Sequence, residues 1–221
     1  MSHWARNVTN SRVPRIKICG VTSLGDARMA VDAGADALGL NYATSVRQVS
    51  SDVAYDIVAH YDDLVWCVGV FRRQEDREII SVVERDRLRA VQLHDPASDA
   101  LLDALASRRV KIIRSLSTHS PALTERERAH VVAVIVDGAQ PGSGVANDWV
   151  TVASLHFEVP MLVAGGLNAD NVEDVIRQTH PWGVDVASGV ESAHGVKDAD
   201  RVASFVTRAR VALALKEKGP Q

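Results

Sequence analysis

A chain of 221 residues is long for one average domain but normal for a single α/β barrel. With 46% hydrophobic residues it can bury a sizeable core, and a net charge of −3 argues against nucleic acid or an anionic membrane as a partner. Two cysteines, Cys19 and Cys67, cannot build a disulfide framework. No Cys/His spacing suggests a metal site, and no stretch has signal-peptide or membrane-spanning character, so a cytoplasmic protein is expected.

Short apolar runs rich in Val, Ile and Leu fall at residues 15–19, 37–41, 65–71, 89–93, 110–114, 132–136, 160–164 and 183–187. They alternate little, as strands buried on both faces should. Amphipathic stretches lie between them. In "SLGDARMAVDAG", Ser23 can cap a helix with Asp26 three residues on, and Gly34 can stop it. Other helix starts are expected near Ser51, Gln74, Ala97, Thr124, Asn147, Asn168 and Lys197. Eight strand candidates, each followed by a helix candidate, predict a single (β/α)8 TIM barrel over residues 14–215. An open doubly wound sheet is the alternative that the same alternation supports. Residues 1–13 read as a flexible N-terminal extension and 216–221 as a solvated tail.

In a barrel, chemistry belongs at the C-terminal strand ends. Cys19 ends strand one and Asn41 ends strand two, His94 follows strand four, and Asp137 closes strand six. "AGGL" (164–167) and "ASGVE" (187–191) follow strands seven and eight. Glycines there let backbone N–H groups approach a phosphate closely, although either motif alone is also ordinary turn chemistry. The loop "GAQPGSG" (138–144) reads equally as a lid or as plain surface. Asp137 is placed for proton transfer, or for bonding the turn behind it. Cys19 is either buried filler or a base; Cys67, mid-strand, is core. Arg47 can clamp a carboxylate or sit solvated in its loop, and His94 can orient substrate or cap its strand.

The segments "KICGVTSLGDARMAVDAGADALGL", "VGVF", "AVQLH", "VIVDG", "LVAGGLNADNV" and "GVDVASGVESAHGVKD" together resemble the phosphoribosylanthranilate isomerase family. The resemblance runs from Lys17 to Lys197 in the order of all eight units. It implies a cofactor-independent Amadori rearrangement in tryptophan biosynthesis, converting N-(5-phosphoribosyl)anthranilate to 1-(2-carboxyphenylamino)-1-deoxyribulose 5-phosphate. It implies Cys19 as general base, Asp137 as general acid and Arg47 as the anthranilate contact. Gly165, Gly166, Ser188 and Gly189 fall on its phosphate loops, and His94 joins them as a substrate-binding candidate. The implied partner is a small phosphoribosyl substrate, with a monomer or homodimer as assembly. Three segments depart from the family pattern. "NYATSVR" is about one residue short with Asn41 at the strand end, QLHG reads QLHD with Asp95, and GSGKTFDW reads "GSGVANDW". A related isomerase acting on another phosphoribosylamine and a non-catalytic phosphoribosyl-binding barrel are the rival readings. An isomerase of the analogous histidine-pathway step typically uses two aspartates, which Cys19 at strand one argues against.

Overall fold

The computed structural model describes residues 13–118, 122–137 and 149–217. Among them, eight parallel strands close on themselves in chain order, with β8 pairing back onto β1. The strands are β1 (Ile16–Cys19), β2 (Ala37–Asn41), β3 (Trp66–Phe71), β4 (Ala90–Leu93), β5 (Lys111–Ser117), β6 (Val131–Asp137), β7 (Met161–Ala164) and β8 (Gly183–Val186). The helices between and after them are α1 (Leu24–Asp32), α2 (Ser51–Tyr61), α3 (Asp76–Arg85), α4 (Asp99–Ser107), α5 (Glu125–His130), α6 (Trp149–Ser154), α7 (Val172–Thr179) and α8 (Ala199–Glu217). The open-sheet alternative is excluded by the closure, because an open sheet has no β1–β8 pairing.

Alternation along each strand sends one set of side chains outward to the helices and the other into the barrel. The outward set joins the helices in the larger core, with Ile16, Ile18, Leu38, Leu40, Ile57 and Phe205 fully enclosed. The inward set is smaller and includes Val68, Ala90, Ile113, Ile135, Leu162 and Ala164. This apolar filling makes the interior a packed core and leaves the strand ends as the place for chemistry.

The ends of the helices show why some starts differ from expectation. Ser23 caps α1 by accepting from the Asp26 N–H at 3.1 Å, and Asp26 reaches back to the Thr22 N–H and hydroxyl. Gly34 follows the helix at φ +94°, a left-handed turn that favours glycine. Residues 168–171 form a turn in which the Asn168 side chain accepts the Asp170 and Asn171 N–H groups, so α7 begins only at Val172. Gln74 bonds the Arg72 N–H and Tyr42 carbonyl, which leaves α3 to start at Asp76. Lys197 does not open a helix. It sits in β10 (Val196–Lys197), which pairs antiparallel with β9 (Glu191–Ala193) in a hairpin that periodicity did not reveal. A 3-10 turn, Ser188–Val190, connects β8 to that hairpin. Helix α8 runs to Glu217, two residues beyond the expected end of the barrel unit. The lid reading of residues 138–144, the helix start at Asn147 and the extension at 1–12 lie outside the described residues. No helix among the described residues is long and apolar enough to cross a membrane.

Candidate active site

Cys19 is the last residue of β1 and is half-buried at the barrel mouth. Two residues earlier on the same inward face, Lys17 is completely buried and donates to Asp185 of β8 at 2.8 Å. The two are direct register partners in neighbouring strands. The Lys17 ammonium and the Cys19 sulfur lie against the same face of Gly39, close enough for the charge of each to act on the other. Burial pushes the Cys19 thiol above its ordinary value, Lys17 and Lys197 pull against that, and the Asp185 charge adds to it. Gly39, opposite on β2, leaves the room this cluster needs. A Cβ there would stand 2.7 Å from Cys19 Sγ and 3.1 Å from Lys17 Nζ.

Arg47 lies beside Cys19 because its side chain crosses over Gly20, where a Cβ would approach Arg47 Cδ to 2.6 Å. Gly20 itself has φ +74°. The loop that carries Arg47 is built by Asn41, whose Oδ1 accepts the Ala43 N–H and whose Nδ2 donates to Ser45 Oγ; Ser45 Oγ in turn accepts the Arg47 N–H. The departure at Asn41 therefore organises a shorter loop instead of an aromatic one. Arg47 Nε and Nη2 donate to Glu191 at 2.7 and 2.8 Å. Glu191 also accepts from Lys197 Nζ at 2.9 Å and from the Gly195 N–H at 3.0 Å. Burial alone would raise the Glu191 carboxyl, but hydrogen bonds from Arg47, Lys197 and Gly195 hold it down to about 2. The end-on Nη1–Nη2 edge of Arg47 makes no further hydrogen bond among the described residues.

His94 directly follows β4, its Nε2 standing 3.3 Å from the Gln92 amide, which also meets Ser115 Oγ at 2.7 Å. His94 is exposed at the mouth, yet the desolvation it does undergo, with the charges of Lys17 and Arg72, lowers it to about 4, so the ring is neutral at pH 7. Asp137 ends β6 half-buried, in register with Ser117 and Ala164 and two strands from β8. It thus stands across the mouth from Cys19. Asp95, the departure beside His94, accepts the N–H of Arg73, a residue at φ +67°, and so pins the loop after β3.

Gly165 and Gly166 occupy consecutive left-handed conformations, φ +93° and +64°, after β7. Gly189 abuts that loop so closely that a Cβ would lie 1.8 Å from the Leu167 carbonyl oxygen. Ser188 opens the adjoining 3-10 turn, exposed at the mouth. The structure therefore brings Cys19 and Arg47 together on one side and the two glycine loops together on another, with Asp137 and His94 on the remaining rim. Sequence reasoning did not single out Lys17, Asp185, Glu191 or Lys197. A signal existed for the first two, since each is a charge inside a strand whose neighbours are apolar.

Eight parallel strands with a thiol, a carboxylate, a guanidinium and two glycine loops at their C-terminal ends define a (β/α)8-barrel enzyme. A family model described as N-(5'-phosphoribosyl)anthranilate (PRA) isomerase matches residues 16–208. The N-(5'-phosphoribosyl)anthranilate isomerase of Myxococcus xanthus is 42% identical over 206 residues, covering 89% of this chain and 96% of the relative. The crystal structure of TrpF from Jonesia denitrificans superimposes with a TM-score of 0.80 at 34% identity, covering 92% of this chain and all of that one. A phosphoribosyl anthranilate isomerase solved in complex with reduced 1-(o-carboxyphenylamino)-1-deoxyribulose 5-phosphate gives 0.71 at 31% identity, over 90% of this chain and all of that one. The chain belongs to the N-(5'-phosphoribosyl)anthranilate isomerase family.

Proposed function

We propose that this protein isomerises N-(5-phosphoribosyl)anthranilate in cytoplasmic tryptophan biosynthesis, with Asp137 as general acid and Cys19 as general base. The observation that carries the assignment is the pairing, across one barrel mouth, of a half-buried carboxyl with a half-buried thiol set beside an ammonium. Family membership and the ketose analogue bound to a relative support the substrate.

The reaction needs one proton given and one removed. Asp137 protonates the furanose ring oxygen, the C1–O bond breaks, and the anthranilate nitrogen supplies the electron pair for an iminium ion. The Cys19 thiolate then takes the C2 proton, and the C2–H electrons form the C1–C2 double bond while the iminium pair returns to nitrogen. The enolamine relaxes to the ketone as the O2 proton is replaced by one on C1. The iminium charge sits beside C2, so it both acidifies that hydrogen and favours the thiolate. The loops at Gly165, Gly166, Ser188 and Gly189 hold the phosphate through backbone N–H groups. The end-on edge of Arg47 reads the anthranilate carboxylate while Glu191 fixes the other edge. With both ends anchored, C2 is held between acid and base. Neutral His94 offers its ring edge to the substrate between them.

The test is direct. Purified protein should convert N-(5-phosphoribosyl)anthranilate to the ketose product, and the gene should restore growth to a tryptophan auxotroph lacking that isomerase. Turnover of another phosphoribosylamine in preference would overturn the substrate assignment.

A further inference from the structure

A lysine with no exposed surface lies inside a barrel whose interior is mainly Ala, Val, Ile, Leu and Trp66, with Gln92 and Asp185 as its other buried polar side chains among the described residues. A buried ion pair is a poor stabilising device. Desolvating both charges costs as much as their attraction returns, and apolar replacement of such pairs is often neutral or favourable. Lys17 and Asp185 therefore call for a reason other than stability. Their geometry supplies one. Lys17 is fixed by Asp185 at 2.8 Å, and β2 gives up a side chain at Gly39, where a Cβ would lie 3.1 Å from Lys17 Nζ and 2.7 Å from Cys19 Sγ, so ammonium and sulfur share that space.

The charged groups that face this sulfur come from four places. Lys17 lies below it on β1, Asp185 beside it on β8, Lys197 on β10, and Arg47 in the loop after β2, the last two tied together by Glu191. His94 is a further titratable group within the field of Lys17 and Asp185. Among these named groups the cations are Lys17, Lys197 and Arg47 and the carboxylates Asp185 and Glu191, and Lys17 is the cation that shares the Gly39 space with the sulfur. We infer that Lys17 is a positioning residue for the isomerisation: held by Asp185, its ammonium is the buried countercharge that lets Cys19 exist as a thiolate at the floor of the site. The inference rests on Cys19 being the base, but the device it describes is a property of the thiol and can be read without turnover.

The experiment measures the pH dependence of Cys19 alkylation by iodoacetamide, with peptide-resolved mass spectrometry separating Cys19 from the buried Cys67. An opposite charge in contact shifts a titration by about 1–3 on the pH scale. Lys17→Met should raise the alkylation midpoint by about that amount, and Asp185→Asn should lower it, because it removes the charge that opposes the thiolate. A residue that only fills space would not shift the midpoint in opposite directions in the two variants. Unchanged midpoints, or shifts of the same sign, would overturn the inference. Lys17→Met strands Asp185 and can impair folding, so Lys17→Met/Asp185→Asn is the safeguard. Its midpoint should stay above wild type, since the pull of Lys17 on the thiol outweighs the push of Asp185, and a wild-type midpoint would refute the role. At pH 7 the double variant should also lose about ten- to a hundredfold in kcat/KM, with the loss in kcat rather than KM and recovered as pH rises. If Cys19→Ala keeps its activity, the base assignment is wrong and the alkylation result stands on its own.

Discussion

Arg47 and Glu191 are joined through both of their forks at 2.7 and 2.8 Å, across 144 residues of sequence. The pair ties the loop after β2 to the β9–β10 hairpin after β8, and it decides which edge of Arg47 a substrate can reach. Arg47→Ala should weaken binding of a product analogue by roughly ten- to a hundredfold, because a charged hydrogen bond is worth about 1.5–3 kcal/mol. Arg47→Lys should recover only part, since it keeps the charge without the fork. Calorimetry with analogues bearing and lacking the ring carboxylate checks the assignment. Wild type should discriminate between them and Arg47→Ala should not. Equal discrimination by both proteins would move the aryl specificity elsewhere and favour a different phosphoribosylamine as substrate.

The two proton-transfer groups have separate signatures. Cys19→Ala should lower kcat at least about a hundredfold with little change in KM. Cys67 lies fully buried, so Cys67→Ala should instead lower the melting temperature and leave turnover near wild type. Asp137→Asn keeps the shape and removes the transferable proton, so ring opening should slow by about two to four powers of ten. Asp95→Asn is the comparison. Steady-state assays in which Asp95→Asn is inactive and Asp137→Asn is not would reverse the assignment.

Burial raises the Cys19 thiol above its ordinary 9.0, so the thiolate fraction of the free enzyme increases with pH. The kcat/KM profile, which reports the free enzyme, should therefore still be climbing at pH 9. A profile already flat at neutral pH would mean that the base is another group.

Stability should fall on acidification in two steps. His94 is held at about 4 against an ordinary 6.5, so the fold prefers it neutral, and that contribution is complete above 6.5 and lost as pH falls toward 4. Glu191 is held at about 2 against 4.5, so its ion network contributes fully above 4.5 and is lost as pH falls toward 2. Urea midpoints followed across this range should show Glu191→Gln flattening the lower part and His94→Asn the upper.

Gly189 tests the glycine loops. A Cβ 1.8 Å from the Leu167 oxygen forces backbone movement, so Gly189→Ala should cost about 1–3 kcal/mol of stability and weaken inorganic phosphate binding. Gly25, inside α1, has only Ser23 Oγ nearby at 3.5 Å. There alanine fits, and Gly25→Ala should stabilise by about 0.5–1 kcal/mol without affecting phosphate. Paired thermal melts and phosphate titrations distinguish the two.

Apolar runs and caps were enough to place all eight strands, because a strand buried on both faces must be apolar throughout and its ends must carry the turn residues. That in turn put Cys19, Asp137, His94 and the glycine loops at one mouth before any coordinates. What the periodicity left out was local competition. Asn168 and Gln74 spend their side chains on backbone groups and delay α7 and α3, and Lys197 belongs to a hairpin whose two strands are too short to show a pattern. The larger omission was pairwise. Lys17 with Asp185, and Arg47 with Glu191, are separated by more than a hundred residues and meet because the barrel closes β8 onto β1, while Lys197 reaches Glu191 through the hairpin turn. A lone charge in an apolar strand is visible in a sequence. Whether it is matched, and what thiol it then faces, depends on closure, because Coulomb interactions act through the distances that only the folded chain sets.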